Sequence, residues 1–356
     1  MIFLRKINVG IIGLGKMGSL HLMSCLHMKD IKVIAVSDTS KKSINKVKKF
    51  RVKNVYDDYR DLINNRSDNL DAVIISLPNF LHFDSIQRSL EAGLDVFVEK
   101  PMAINTNESR EIVKLAEKNG RKLMPGHCMR YLPAVEKMRT SVNLGKLGDL
   151  KIITLESIQN GPLSHDIIPK PVPEWWFDLK KSGGGALLDL GYHLVDLFSF
   201  FAGDSNVQFA ALDYNYHLPV EDSATIILKS KSSVRGVINV GWFEKSIFPR
   251  VNFRMILHGT ADFISTEQLI PSNMYFHAAK EGISNFLRRV AGRKIHPLSY
   301  TYYYEPHFKE LRHFFDSIEN DTQTPITAVD GLRTIEIIEE AYQLSQKVHD
   351  SVHISS

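Results

Sequence analysis

Cysteine is scarce in this 356-residue chain: its two cysteines, Cys25 and Cys128, lie far apart, without the spacing of a disulfide framework or a metal site. We therefore expect no bound metal, and a reducing, cytoplasmic location is the default for such a chain. Long apolar runs are also missing, since none approaches the ~20 residues that cross a bilayer. The apolar start lacks a small-residue cleavage site and runs into a glycine loop, so we interpret it as a first strand rather than a signal peptide.

Neither sign of charge is in large excess. The chain has 44 Lys and Arg against 40 Asp and Glu, a formal net charge of +4, and the basic residues are scattered. We therefore expect no nucleic-acid partner. The lack of an apolar run that could span a bilayer leads us to expect no membrane partner either. Mild basicity does suit an anionic cofactor or a phosphorylated substrate. A hydrophobic content of 44% over this length is typical of a soluble globular protein with room for two domains.

A glycine-rich loop lies near the start, between a predicted strand at 7–12 and a predicted helix at 19–28. It reads Gly13-Leu14-Gly15-Lys16-Met17-Gly18, which is the G-x-G-x-x-G pattern of dinucleotide-binding loops. Gly13 permits a tight turn, Gly15 lets the backbone approach a pyrophosphate, and Gly18 lets helix and strand pack closely. The helix N-terminus offers free amides to the phosphates. We predict that this loop, Lys16 and Met17 included, binds the cofactor.

A second predicted strand, 32–37, ends in Asp38, which lies 20 residues after Gly18. A carboxylate there accepts hydrogen bonds from both ribose hydroxyls of NAD and repels the 2′-phosphate of NADP. Lys41 and Lys42 follow and soften that exclusion, so NAD is the preferred cofactor and NADP remains possible. The alternative is an aspartate that only caps the next helix.

Strands and helices alternate as far as residue 125, with further strands predicted at 72–77, 96–98 and 123–125. This alternation predicts a doubly wound parallel sheet of Rossmann type, and we assign 1–125 as the NAD(P)-binding domain. Ligands of such sheets lie at the carboxyl ends of the strands. Pro78 and Asn79 follow one strand there, and either line the nicotinamide half of the cleft or are ordinary turn residues. Lys100 follows another; a lone lysine after a strand is more often simply solvated.

The pattern changes after residue 125. Strand-like runs succeed one another at 151–157, 207–213, 223–228, 234–241 and 251–258, with fewer helices between them. Strands joined by short turns predict a mostly antiparallel sheet. We therefore assign 126–356 as an α+β domain for substrate binding and oligomerisation. The fold class is α/β, a Rossmann sheet followed by an α+β domain with an open sheet.

One helix in the second half has a polar cluster on an otherwise apolar pattern. Residues 182–185 form a flexible start, and apolar residues at three- and four-residue steps predict a helix from 186 to 201. Asp189 and His193 are i and i+4 and share a face, with Asp196 three residues further on. A carboxylate beside an imidazole orients it and favours its protonated form, which suits a base that takes a proton from an alcohol. The alternative is an ordinary surface Asp–His pair. Asp-x-x-x-His also offers two metal ligands, but no third is obvious from the spacing.

With these motifs together, the chain resembles the glucose–fructose oxidoreductase, inositol dehydrogenase and MocA family of NAD(P)-dependent oxidoreductases over nearly its whole length. The resemblance rests on GLGKMG (13–18), PNFLH (78–82), EAGLDVFVEKP (91–101), GHCMRYLPA (126–134), GGGALLDLGYHLVDL (183–197) and the C-terminal HFFDSI…GLRTIEIIEEAY (313–342). The EKP tripeptide and the D-x-x-x-H helix are its most specific parts.

The resemblance implies roles at individual positions. Lys100 matches a lysine that contacts both the reacting hydroxyl and the cofactor, and Pro101 a proline often preceded by a cis bond. His193 matches the general base and Asp189 a substrate or relay carboxylate, so we predict Lys100, His193 and Asp189 as catalytic. Further matched positions are predicted to bind cofactor (Glu99 and His82, with Pro78 and Asn79) or substrate (Arg130, with Trp176, Lys100, Asp189 and His193).

The implied reaction is hydride transfer between nicotinamide and a secondary alcohol or ketone of a sugar, cyclitol or nucleotide sugar. A homodimer or homotetramer formed through the C-terminal sheet is expected. Two alternatives stay open: a non-catalytic NAD(P)-binding sensor on the same fold, and a reductase of a non-sugar carbonyl.

Two stretches are ambiguous. Trp175 and Trp176 either stack on a sugar ring or cover the core, and core is favoured. The basic residues of segment 281–304 (Arg288, Arg289, Arg293 and Lys294) either meet a substrate phosphate or form a solvated loop, and the loop is favoured. The predicted helices 305–318 and 329–347 are expected to return to the first domain.

Overall fold

A computed structural model describes residues 6–47, 50, 52–162, 172–243, 253–270, 273–293, 295 and 304–354. The strands are β1 (Ile7–Ile12), β2 (Ile31–Ser37), β3 (Asn54–Tyr56), β4 (Ala72–Ile75), β5 (Asp95–Val98), β6 (Leu123–Pro125), β7 (Leu150–Ile158), β8 (Ser205–Asp213), β9 (Ser223–Ser230), β10 (Arg235–Gly241), β11 (Arg254–Gly259) and β12 (Phe263–Ser265). The α-helices are α1 (Lys16–Leu26), α2 (Lys41–Val47), α3 (Tyr59–Asn64), α4 (His82–Glu91), α5 (Thr106–Asn119), α6 (Pro133–Asn143), α7 (Leu179–Ser182), α8 (Tyr192–Ala202), α9 (Met274–Val290), α10 (Glu305–Glu319) and α11 (Ala328–Ile354).

Contacts divide the chain into two compact units. Unit 1 contains Met1–Ala103, Asn107–Cys128 and Ala278–Leu332, and unit 2 contains Ile104–Thr106, Met129–His277 and Arg333–Ser356. The polypeptide therefore leaves unit 1 and later returns to it. The assignment of 1–125 and 126–356 as functional domains stays a prediction.

The sheet of unit 1 has six parallel strands in the order β3-β2-β1-β4-β5-β6. This is the doubly wound order of Rossmann folds, as the alternation of strands and helices predicts. Its central strands are buried on both faces: every residue of β4 and β5 is buried, which explains why they are apolar throughout except for Asp95 at the start of β5. The edge strand β3 was not predicted, since it has three residues and its Val55 is exposed.

The strand ends of this sheet lie level with one another. Ile12, the last residue of β1, pairs with Ser37, the last of β2, and with Ile75, the last of β4. Ile75 in turn pairs with Val98, the last residue of β5. The residues that follow these four strands therefore come from one edge of the sheet, where this class of fold binds its ligands.

The sheet of unit 2 has the order β12-β11-β7-β10-β9-β8. The pair β10–β7 is parallel and the other pairs are antiparallel, so the prediction of a mostly antiparallel sheet is confirmed. Its strands alternate in burial as one-sided packing requires: in β7, Ile153 and Leu155 are fully buried whereas Ile152 is exposed.

The predicted uniform helix from 186 to 201 is wrong in its first part. Leu187–Gly191 forms a π-helical turn, and the regular helix α8 begins only at Tyr192. The stretch Leu179–Ala202 is long and apolar enough to cross a membrane by composition, but 72% of its most apolar window is buried inside the protein. Burial of that kind is what a core helix shows.

The favoured interpretation of 281–304 as a basic loop is also wrong for residues 281–290, whereas Arg293 lies beyond the helix and is exposed. Helix α9 runs to Val290 and has Arg288 and Arg289 in its last turn. An amphipathic repeat was present in the sequence, but Gly282 and the basic cluster obscured it. Lys294 lies outside the described residues.

Candidate functional site

The glycine loop of unit 1 joins β1 to α1 and depends on two close backbone approaches. Gly13 has φ +87°, and a Cβ there would overlap the carbonyl oxygen of Ser76. A Cβ at Gly18 would overlap the carbonyl oxygen of Gly13. Both positions therefore exclude any larger residue, as the motif predicts.

Gly15 is different, because a Cβ there would meet no heavy atom within 4 Å. It is the N-cap of α1, which has no side-chain cap and no acidic residue in its first turn. The helix therefore presents its first amides and positive dipole end to an open surface. Lys16 is exposed and Met17 half-buried beside it. This surface fits the pyrophosphate of a dinucleotide.

Asp38 follows β2 and its carboxylate faces the glycine loop. Oδ2 accepts a hydrogen bond from the backbone N–H of Leu14 at 2.6 Å, and Oδ1 accepts one from the N–H of Ser40 at 2.7 Å. A carboxylate oxygen has two lone pairs, so each can accept a further hydrogen bond. Asp38 thus caps the residues that follow it, as in the alternative of a purely capping aspartate, and its carboxylate can still accept hydrogen bonds from the ribose hydroxyls of NAD.

The segment after β4 forms a 3₁₀ turn, Asn79–Leu81, with Pro78 as its N-cap. Pro78 and Asn79 are half-buried. His82 is 1% exposed, and its ring nitrogens lie 2.7 Å from the carbonyl oxygen of Pro101 and 2.9 Å from that of Leu77. Burial lowers the pKa of His82, against the pull of the two carbonyls. His82 therefore ties together the segments after β4 and β5, and a direct contact with cofactor stays a prediction.

Glu99 and Lys100 follow β5. Glu99 Oε1 lies 2.6 Å from Nε2 of His21 on α1, and both side chains are buried. Burial by itself would raise the pKa of Glu99, but the hydrogen bond from His21 and the charges of His21, His307 and Lys100 outweigh it and lower the pKa to about 2. Glu99 is therefore an anion held inside unit 1, directly before the predicted catalytic lysine.

Lys100 is half-buried, and its backbone N–H lies 3.3 Å from Glu99 Oε2. The Lys100–Pro101 peptide bond is cis, as the resemblance implies. His307 on α10 stacks edge-on to His21, with ring centroids 6.0 Å apart. Sequence reasoning missed His21 and His307, because nothing in the spacing of residues 21, 99 and 307 links them.

In unit 2, Asp189 lies in the π-helical turn and His193 in the first turn of α8. Both are half-buried. The indole N–H of Trp242 donates to Asp189 Oδ2 at 3.3 Å. A π-helical turn changes the angular step between Asp189 and His193, so their pairing as i and i+4 of one α-helix stays a prediction.

Arg130 and Asp196 form a buried ion pair in unit 2. Nε and Nη2 of Arg130 lie 2.9 and 2.5 Å from the two carboxylate oxygens of Asp196, and the side chains are 9% and 2% exposed. The guanidinium also lies over the ring of Phe200, 5.0 Å from its centroid. This two-point pair fixes Arg130 against α8, and a contact with substrate stays a prediction.

The glycines of segment 182–185 were expected to be flexible, and two of them are tightly packed instead. A Cβ at Gly184 would overlap the hydroxyl of Tyr342, and one at Gly185 the backbone of Glu221. Glu221 accepts hydrogen bonds from the amides of Gly185 and Leu187 and from the hydroxyl of Tyr342. Burial raises the pKa of Glu221 in spite of these donors. This anchor for the π-helical turn was missed by sequence reasoning.

Trp176 is half-buried and stacks on Trp175, with ring centroids 5.0 Å apart. A cavity of about 500 Å³ lies within unit 2, bordered by Gly183, Leu188, Glu221 and Tyr342 among others. Among the described residues, its lining does not include the four predicted substrate residues of unit 2. Their joint role in binding stays a prediction.

Two family models match the chain. Residues 7–127 match "Oxidoreductase family, NAD-binding Rossmann fold", and residues 135–265 match the "GFO/IDH/MocA C-terminal domain". The glycine loop, Asp38 and Lys100 all lie in the first region. The chain's first matched region is thus an NAD-binding Rossmann domain.

Relatives of known activity are similar at low identity. Inositol 2-dehydrogenase of Rhizobium meliloti is 24% identical over 351 residues, 94% of this chain and 96% of the relative. Trans-1,2-dihydrobenzene-1,2-diol dehydrogenase of Macaca fuscata fuscata is 29% identical over 234 residues, 64% of this chain and 66% of the relative. The structure of scyllo-inositol dehydrogenase from Lactobacillus casei with NAD(H) and scyllo-inositol has a TM-score of 0.76 at 19% identity, covering 96% of this chain and 98% of that one. At that identity the likeness shows the fold.

Proposed function

The chain belongs to the GFO/IDH/MocA family of NAD-binding oxidoreductases, and we propose that it transfers hydride between NAD and a secondary alcohol, or the matching ketone, of a cyclic polyol. One observation supports this most. The level strand ends of unit 1 are followed by Gly13 and Asp38, which fit the dinucleotide, and by Lys100, a cation suited to an alcohol oxygen.

In this proposal the residues divide the work of moving a proton and stabilising charge. NAD, when bound, supplies the hydride acceptor, and NADH the donor. The ammonium of Lys100 stabilises negative charge on the substrate oxygen as its proton leaves. His193 accepts that proton, so the alcohol loses one proton and one hydride and becomes a ketone. Asp189 orients the substrate or relays the proton, and Arg130 and Trp176 border the same substrate.

The names of the relatives narrow the substrate class. Inositol and trans-1,2-dihydrobenzene-1,2-diol are both six-membered carbon rings with neighbouring hydroxyl groups. A cyclitol or a sugar ring has the same local chemistry, so we propose a ring with vicinal hydroxyls as substrate. We also propose that the enzyme is cytoplasmic and forms a homodimer or homotetramer through the sheet of unit 2.

The test is an absorbance assay. The purified protein is incubated with NAD and a panel of inositols, cyclic diols and aldoses, and formation of reduced nicotinamide is followed. Turnover on at least one vicinal ring diol is expected. If the protein binds NAD but turns over neither the panel with NAD nor the matching ketones with NADH, the result would instead favour the non-catalytic sensor. Turnover confined to carbonyls that lack a neighbouring hydroxyl would favour the other alternative, a reductase of non-sugar carbonyls.

A further inference from the structure

Helix α9 exposes an unusual number of large apolar side chains. Six of them are between 60% and 71% exposed: Tyr275, Phe276, Ile283, Phe286, Leu287 and Val290. Helices of globular proteins normally bury such residues against a core. The exposed apolar side chains of α9 therefore indicate a surface that binds something.

These side chains form one stripe. At about 100° per residue, all six fall within a sector of about 120° of the helix circumference. The residues on the opposite side are the less exposed ones: His277, Glu281, Ser284, Asn285 and Arg288 are half-buried. Helix α9 thus turns its polar side toward the protein and its apolar side toward solvent, the reverse of an ordinary surface helix.

The stripe is large. With ~200 Å² for a large side chain, six chains exposed by about two-thirds present on the order of 800 Å². The largest apolar patch of a typical monomer is about 300–600 Å². A surface of this size is not the scattered exposure of single residues.

Charge decides between possible occupants. Segment 273–293 contains four cations, Lys280, Arg288, Arg289 and Arg293, and one carboxylate, Glu281. A second copy of the helix would bring four more cations and one more carboxylate, so pairing of two α9 stripes is opposed by charge. A bilayer that contains acidic lipids fits both features: its apolar interior can bury the stripe, and its negatively charged surface attracts the cations.

We propose that α9 lies in the headgroup region of an anionic lipid bilayer, with its apolar stripe inserted and the exposed cations Lys280, Arg289 and Arg293 at the phosphates. The protein would then be a peripheral membrane protein, held by a helix that lies in the plane of the interface and does not cross it. This departs from the expectation, drawn from the absence of an apolar run long enough to span a bilayer, that the protein has no membrane partner. It is independent of the proposed enzymatic activity.

The experiment is co-sedimentation of the full-length protein with sucrose-loaded vesicles, of phosphatidylcholine alone or with about a third phosphatidylglycerol. Ile283→Glu places a charge in the stripe, and Leu144→Glu is the matched control, because Leu144 is an apolar residue of similar exposure outside α9, 65% against 62%. Arg289→Gln with Arg293→Gln removes two exposed cations, and Lys118→Gln with Lys146→Gln removes two exposed cations elsewhere.

We expect binding to the anionic vesicles, at least tenfold weaker binding to neutral vesicles, and loss of binding at high salt. Ile283→Glu and the double arginine variant should each lose most binding, while their controls keep it. Circular dichroism and NAD binding confirm that each variant is folded. No binding by the native protein, or equal weakening by Leu144→Glu, overturns the proposal. The proposal is also overturned if sedimentation velocity shows that the native protein is an oligomer and that Ile283→Glu makes it dissociate, because a second copy of the chain would then cover the stripe.

Discussion

Nε2 of His21 lies 2.6 Å from Oε1 of Glu99, so the helix that follows the glycine loop holds the residue that precedes Lys100. His21 is fully buried, and its ring packs edge-on against Phe97 in β5, with centroids 5.3 Å apart. The cofactor loop and the lysine are therefore connected through one buried hydrogen bond within unit 1. A change at His21 reaches both.

We expect His21→Leu to lower the free energy of unfolding by about 3–5 kcal/mol, because it leaves a buried carboxylate without its donor. Glu99→Gln combined with His21→Leu should cost clearly less than the sum of the two single changes. Urea unfolding of the two single variants and the double variant measures this coupling. Strictly additive losses would mean that the pair does not interact in solution.

His307 should make stability depend on pH. Burial lowers its pKa from 6.5 to about 4, with Glu99 opposing the shift and His21 and Lys16 adding to it; the Glu310 carboxylate lies 4.0 Å away. Between pH 6.5 and 4 the unfolded chain binds a proton at this residue that the folded protein does not, so stability falls as pH falls through that window. The contribution is on the order of 3 kcal/mol.

We therefore expect His307→Asn to flatten the fall in stability between pH 6.5 and 4. The matched control is His313→Asn, because His313 is an exposed histidine of the same helix. Chemical unfolding at half-unit steps of pH compares the two. Glu99, with its pKa near 2, adds acid sensitivity only below pH 4.5, which separates its effect from that of His307. Identical slopes for both variants would remove the assignment.

Asp38→Ala should change the cofactor preference. Without the carboxylate, the ribose hydroxyls lose an acceptor for their hydrogen bonds, so the affinity for NAD should fall by about tenfold or more. The 2′-phosphate of NADP, in turn, is no longer repelled by a negative charge. Titration calorimetry with each dinucleotide gives the ratio of dissociation constants. Asp57→Ala, an exposed carboxylate of the same unit, is the control. An unchanged ratio would leave Asp38 as a cap of the following residues and nothing more.

His193→Ala should lower kcat by about 10²–10⁴-fold, the usual contribution of a general base, with little change in NAD affinity. Because the base must be neutral to accept a proton, the residual activity of the variant should also lose the acidic limb of the rate profile. Stopped assays across pH 5–9 with the best substrate of the panel measure both. His217→Ala, an exposed histidine of the same unit, should match the native rate. Native-like turnover by His193→Ala would refute the base assignment.

The Arg130–Asp196 pair separates a structural role from a substrate role. Asp196→Ala should destabilise by about 3–5 kcal/mol, because it leaves a buried guanidinium uncompensated. Arg130→Met with Asp196→Leu should recover most of that loss. If the recovered double variant keeps native kcat/KM, Arg130 acts only by packing against α8. A fall in kcat/KM at native stability would assign it to the substrate.

The parallel sheet of unit 1 was predictable because each buried strand is a short apolar run with a glycine, proline or charge at its end. Strand β1 has the predicted bounds, 7–12, and β6 the bounds 123–125. The glycine loop and Asp38 were predictable for a related reason, since a tight turn at Gly13 and a close approach at Gly18 leave a fixed spacing in the sequence.

Other features had no local pattern. The π-helical turn at Leu187–Gly191 is hydrogen-bonded at its start to Glu221, a residue distant in the sequence, whose carboxylate accepts hydrogen bonds from the amide of Gly185, just before the turn, and from that of Leu187, its first residue. Glu99 is hydrogen-bonded to His21 on α1, and His307 on α10 packs against that histidine, so residues far apart in the sequence form this cluster. Helix α9 was missed because Gly282 and the basic cluster obscured its amphipathic repeat, and the repeat by itself does not tell that the apolar side faces solvent.

The return of the chain to unit 1 has a consequence for biosynthesis. Phe314 of α10 packs on Phe97 of β5, with centroids 5.9 Å apart, and His307 stacks on His21. While the ribosome is still making the sheet of unit 2, the nascent Rossmann half lacks these late partners, and the surface around Phe97 and His21 stays uncovered. A truncated product that ends at Cys128 would expose this apolar surface permanently, so we expect it to be bound by chaperones or degraded by proteases.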